Sequence, residues 1–120
     1  MQDIQLGAIE SRFADIIWAN APLPSSRLVE LALSELGWKK STTYTVLKRL
    51  CDKGLFQNQK GTVCVCLSRQ EFYARQSQRF VNEAFQGSLP AFLAAFTSGR
   101  KLTQQEADQL RQLIADHRED

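Results

Sequence analysis

Three cysteines, a single histidine and a short basic run are the residues of this 120-residue chain with chemistry to offer. Cys64 and Cys66 stand one residue apart in GTVCVCLS, residues 61–68, and Cys51 is the third. Two thiolates at that spacing can hold Cu(I) or help hold Zn(II), and Cys51 adds a ligand if it lies near. The alternation with Val63, Val65 and Leu67 is also that of a strand, where a buried cysteine is a small hydrophobe. Sequence leaves both readings open, so Cys64, Cys66 and Cys51 are candidates for a metal or redox response. His117 sits in a polar tail. One histidine gives little material for a His-rich metal site or a Ser-His-Asp triad, so no catalytic residue, enzyme activity or cofactor is expected.

Charge points elsewhere. The net charge is +2, unevenly spread. Residues 1–38 carry Arg12 and Arg27 against five acids. Residues 39–60 carry Lys39, Lys40, Lys48, Arg49, Lys53 and Lys60 against Asp52 alone. The remainder balances. Positive charge focused on one segment is what a polyanion-binding face requires.

The elements that must position this segment follow from periodicity. Ile9, Phe13, Ile16 and Ile17 form a helical stripe over Ala8 to Trp18, ended by the prolines at 22 and 24. SSRLVELALSELG predicts a second helix capped by Ser25 or Ser26, with Leu28, Leu31 and Ala32 inward and Gly37 as its stop. A third helix runs from an N-cap at Ser41 to Gly54. Its inner face is Thr43, Val46, Leu47, Leu50 and Cys51. Its outer face is Thr42, Thr45, Lys48, Arg49 and Asp52, with Tyr44 at the border. The period then changes to two, predicting strands over Leu55–Gln57 and Thr62–Leu67 with a turn at Asn58–Gly61. Three helices and a hairpin make a winged helix-turn-helix. Capping boxes at Ser68/Glu71 and Thr103/Glu106 open further helices, with breaks at Gly87–Pro90 and Ser98-Gly99. Trp18 and Trp38 read as core anchors.

The expected fold is therefore mainly α with a small β-hairpin. Residues 1–69 form a winged-helix DNA-binding domain and residues 70–120 a helical domain. Short polar side chains at the start of a recognition helix approach base edges, and later cations neutralise phosphates. That selects Lys39, Lys40, Ser41, Thr42, Tyr44, Thr45, Lys48 and Arg49, with Lys60 at the wing tip beside Gln57, Asn58 and Gln59. In the C-terminal half, Phe80, Phe85, Leu89, Phe92, Leu93, Phe96, Leu110, Leu113 and Ile114 are more apolar surface than short helices bury alone. A twofold partner is the natural cover. No run of 18 apolar residues spans a membrane, and MQDIQLGAIESRF does not look like a secretory leader, so a cytoplasmic protein is expected.

Ile16-Ile17-Trp18, Gly37-Trp38, the run Thr42 to Leu50, Lys53-Gly54-Leu55 and Gly61-Thr62-Val63 occur in an ordered spacing. Phe85 to Leu89 and Lys101-Leu102, ahead of a helix opening in Thr and Glu, extend it across nearly the whole chain. Together they resemble the penicillinase-repressor family, winged-helix repressors of β-lactamase and methicillin-resistance genes, with a copper-responsive repressor among them. The resemblance implies a homodimer that binds a palindromic operator in double-stranded DNA, the C-terminal helices pairing the subunits. Two departures stand out. Antibiotic-responsive members are cut by a sensor-controlled protease between Asn and Phe, whereas the matching pair here is Ala95-Phe96. Copper-responsive members carry Cys-x-Cys motifs near the C-terminus, and this chain has no cysteine there. In the family, the positions of Cys64 and Cys66 commonly hold aromatic or aliphatic side chains, which implies packing.

Overall fold

The computed structural model describes residues 5–119, so the first four residues of the segment read for a leader lie outside the described residues. Within them, α1 spans Ala8–Asn20, β1 Leu23–Pro24, α2 Ser25–Leu36, α3 Lys40–Asp52, β2 Phe56–Gln59 and β3 Thr62–Val65. Then come α4 Arg69–Phe85, α5 Leu89–Gly99 and α6 Gln104–His117. Two compact units divide at Ser77/Gln78. The sequence placed the boundary at 69/70. The first turns of α4 join the N-terminal unit because Phe72 and Tyr73 pack on Trp18, with ring centroids 5.7 and 6.2 Å apart.

In the N-terminal unit, α1, α2 and α3 enclose a core of Phe13, Ile17, Leu28, Val46, Leu47 and Leu50, closed below by Leu55, Phe56 and Val63. Trp18 is half-buried at its edge, and its indole N–H donates to the Leu67 carbonyl at 3.0 Å. Phe13 and Trp38 pair at 4.9 Å, so both tryptophans do border the core. The expected stripe on α1 shifts. Ile9 lies exposed in the first turn, and Ala14 takes the buried place beside Phe13 and Ile17.

The hairpin is wider than the expected one. β3 pairs with both neighbours in the order β1-β3-β2, all antiparallel. The two-residue β1 escaped sequence reading because its prolines signal only a break; Leu23 nevertheless pairs with Val63. Gln59 pairs with Thr62, so the turn is the two residues Lys60-Gly61 rather than 58–61. Both have positive φ, 51° and 87°, the mark of the hairpin turn whose twist matches the strands.

The C-terminal unit is bound by short-range devices. Phe80, Phe85 and Phe92 form a ring triad with centroids 5.5 to 6.0 Å apart. Ser88 caps α5, its Oγ accepting from Ala91 N–H at 3.1 Å. Thr103 and Glu106 cap α6 reciprocally, as their spacing predicts. Arg100 grips Glu106 through both guanidinium nitrogens, at 2.9 and 2.8 Å, and stacks on Phe96. Yet neither α5 nor α6 has a fully buried residue.

Candidate nucleic-acid interface

The two faces of α3 separate as its periodicity requires. Thr43, Val46, Leu47 and Leu50 are buried; Ser41, Thr42, Thr45, Lys48 and Arg49 are exposed. Lys39 and Lys40, also exposed, open the helix. Its N-cap is Lys39 and not Ser41, because Trp38-Lys39 is still extended and Lys40 already turns. Five hydroxyls, from Ser41 to Thr45, therefore lie within the first turns of the helix. Thr43 returns its hydroxyl to the Lys39 carbonyl at 3.1 Å, which satisfies a fully buried side chain. Thr45 does the same to Ser41 at 2.9 Å and is exposed, its hydroxyl oxygen keeping lone pairs free to accept.

Tyr44 is half-buried, and its hydroxyl meets Ser25 Oγ at 3.0 Å. Ser25 or Ser26 was expected as the cap of α2. Pro24 takes the cap position and Ser25 becomes the first helical residue, free to bond sideways. The Ser25 N–H donates to the Gly61 carbonyl at 2.7 Å. One residue thus ties α3 to the wing turn that carries Lys60. Sequence spacing gave no signal for this link. Between α3 and β2 lies a cleft walled by buried Leu47 and Phe56 and edged by exposed Lys48, Gln57 and Asn58.

At the far end of α3, Arg49 and Lys53 lie 3.7 and 3.5 Å from Glu10 Oε2. Lys53 also donates to the Gln5 carbonyl at 2.9 Å. Glu10 was not singled out from the sequence, since its partners stand far along the chain.

The sequence model of the family described as penicillinase repressor matches residues 6–116. The chain belongs to the penicillinase repressor family. Its relatives include the methicillin resistance regulatory protein MecI of Staphylococcus aureus strain Mu50, 21% identical over 92% of this chain and 93% of that one. The penicillinase repressor of Bacillus licheniformis is 23% identical over 95% of this chain and 92% of its own length. Membership makes this chain a transcriptional repressor, built as a winged helix plus a helical unit.

Among the described residues of this penicillinase repressor family member, no three His, Cys, Asp or Glu side chains are grouped to hold an ion. Cys64 and Cys51 are half-buried and Cys66 is exposed. Burial, then the neighbouring Cys66 and Asp52 charges, push the Cys51 thiol above its ordinary value, against a hydrogen bond from the Asn58 backbone. A thiol so held is less readily ionised at neutral pH than a free one. His117 ends α6, exposed, with Nδ1 2.9 Å from the Leu113 carbonyl. No described helix is long and apolar enough to cross a membrane.

Proposed function

We propose that this repressor acts as a homodimer whose α3 enters the major groove of a palindromic operator in double-stranded DNA. The observation that carries the reading is the exposed face of α3, hydroxyls first and cations after, over an inner face buried from Thr43 through Leu50. Thr42 and Thr45 meet base edges. Thr45, exposed and carrying a methyl and free lone pairs, suits a thymine methyl or an amino group of adenine or cytosine. Lys39, Lys40, Ser41, Lys48 and Arg49 take phosphates, and Lys60 takes one beyond the wing. The cleft beside Lys48, Gln57 and Asn58 lies where the strand between the two grooves has to run. Tyr44 steers the wing through Ser25 as well as bordering that strand.

Dimerisation falls to the C-terminal unit. Phe80, Leu89, Phe96, Leu113 and Ile114 are exposed there, Ile114 at 61%. Phe85, Phe92, Leu93 and Leu110 lie half-buried behind them. Such a surface on a small unit is typical of an interface. A DNA partner keeps the protein in the cytoplasm. Ala95 in place of asparagine argues for release by something other than the cut made in antibiotic-responsive members.

Selection from a randomised duplex pool tests the reading. A palindrome is expected, and Thr45→Ala should change the preferred base at one position in each half-site without altering the others. Recovery of no common sequence would overturn it.

A further inference from the structure

Glu10 sits in the first turn of α1, where a carboxylate is favoured by the helix dipole, and Gly7 N–H donates to its Oε1 at 3.4 Å. Its other oxygen, Oε2, is buried and takes no hydrogen bond among the described residues. What faces that oxygen is charge: Lys53 Nζ at 3.5 Å and Arg49 at 3.7 Å. The Glu10 side chain is 19% exposed and that of Arg49 53%. The carboxylate is thus fixed in place while the guanidinium reaches between it and solvent. A buried oxygen satisfied only by ion pairs would leave an uncompensated charge if both cations turned away. Glu10 therefore holds two of the six cations of residues 39–60 against α1.

We propose that Glu10 is a positioning residue for DNA binding, restraining Arg49 and Lys53 so that phosphate affinity is concentrated on Lys39, Lys40, Lys48 and the wing. The inference rests on the DNA-reading face proposed above. Its consequence is specificity. Cations free to seek any phosphate raise affinity for every sequence alike, whereas cations held at one end leave base contacts a larger share of the binding energy. Arg49 still borders the interface, but with its charge shared.

The test is the salt dependence of duplex binding by the full chain, read by fluorescence anisotropy on a random-sequence duplex and on the selected one. Each phosphate contact contributes about 0.9 to the slope of log affinity against log salt. Glu10→Gln keeps an acceptor for Gly7 and removes the charge. It should steepen the slope by about 0.9 for each cation released, so that the loss from 50 to 200 mM salt grows about 3.5-fold per cation. Binding to random duplex should tighten several-fold at low salt, and the ratio of selected to random affinity should fall. Adding Arg49→Gln to Glu10→Gln should reverse much of this. In the parent chain, Arg49→Gln should flatten the slope less than half as much as Lys48→Gln. Glu30→Gln, which removes a carboxylate paired with Arg27 on α2, should leave the slope unchanged.

If Glu10→Gln keeps the parent slope, or merely weakens binding, the restraint is refuted although the DNA-reading face stands. If Glu10→Gln does not fold, the Arg49→Gln comparison decides: a flattening equal to that of Lys48→Gln makes Arg49 an ordinary phosphate contact and refutes it equally. A parent chain without salt-dependent binding removes both this inference and the interface beneath it.

Discussion

Lys60 serves two demands that pull against each other. Its φ of 51° is a left-handed conformation that costs an ordinary residue about 1 kcal/mol and asparagine less. Its ammonium is the cation at the wing tip. Lys60→Asn should therefore raise the thermal midpoint by a few degrees and weaken DNA binding at once, measured on the same protein by melting and by anisotropy. A stabilised variant with undiminished affinity would remove Lys60 from the interface. Glu106 makes a second residue-scale case. The Arg100 guanidinium first, and the Thr103 backbone N–H next, lower its carboxyl from an ordinary 4.5 to about 2. A depressed folded value means stability fully present above pH 4.5 and lost as pH falls through about 2. Acid melts should show this loss between those limits, and Glu106→Gln should lack that share of it. Residue types made part of this legible: Thr-x-x-Glu announces the cap, and Gly61 announces a turn. The grip of Arg100 is not written in any short spacing.

Among the elements, α3 was the most readable because each face has one job. A 3.6-residue period separates Thr43, Val46, Leu47 and Leu50 from Thr42, Thr45, Lys48 and Arg49, and burial follows that division. The ends were less legible. Capping at Lys39 in place of Ser41, and at Pro24 in place of Ser25 or Ser26, depends on where the incoming chain leaves extended geometry, which a list of capping residues does not encode. β1 is shorter still: two residues acquire strand character only because β3 arrives from some forty positions away. The Ser25 link between α3 and the wing turn is non-local for the same reason. Ser25→Ala should cost about 1 kcal/mol through the lost Tyr44 hydrogen bond, while Ser25→Thr retains it. If the link also steers the wing, Ser25→Ala should weaken DNA binding more than its stability loss explains. Tyr44→Phe should reproduce the effect. Unaltered binding in both would leave the link purely structural.

For the whole molecule, most of the exposed large apolar side chains, from Phe80 to Ile114, lie in the C-terminal unit, while α3 and the wing in the N-terminal unit carry the dense cation run of residues 39–60. The family profile spans both units, from residue 6 to 116. Sedimentation should find a dimer, and Leu113→Lys with Ile114→Lys should weaken it by two orders of magnitude or more, since each aliphatic side chain buried is worth about 1.5–3 kcal/mol. A monomer at every concentration would remove the C-terminal assignment. The cysteines follow from the same view. Half-buried Cys64 and Cys51 lie on the wing strand and on α3, and burial drives the Cys51 thiol from its charged form. The most direct test of the recognition face is one titration: parent and Lys48→Ala chains on the selected and a random-sequence duplex at 50 and 200 mM salt. The expected result is weaker binding on every duplex and a slope flatter by about 0.9. Identical affinity and slope for the two chains would contradict it.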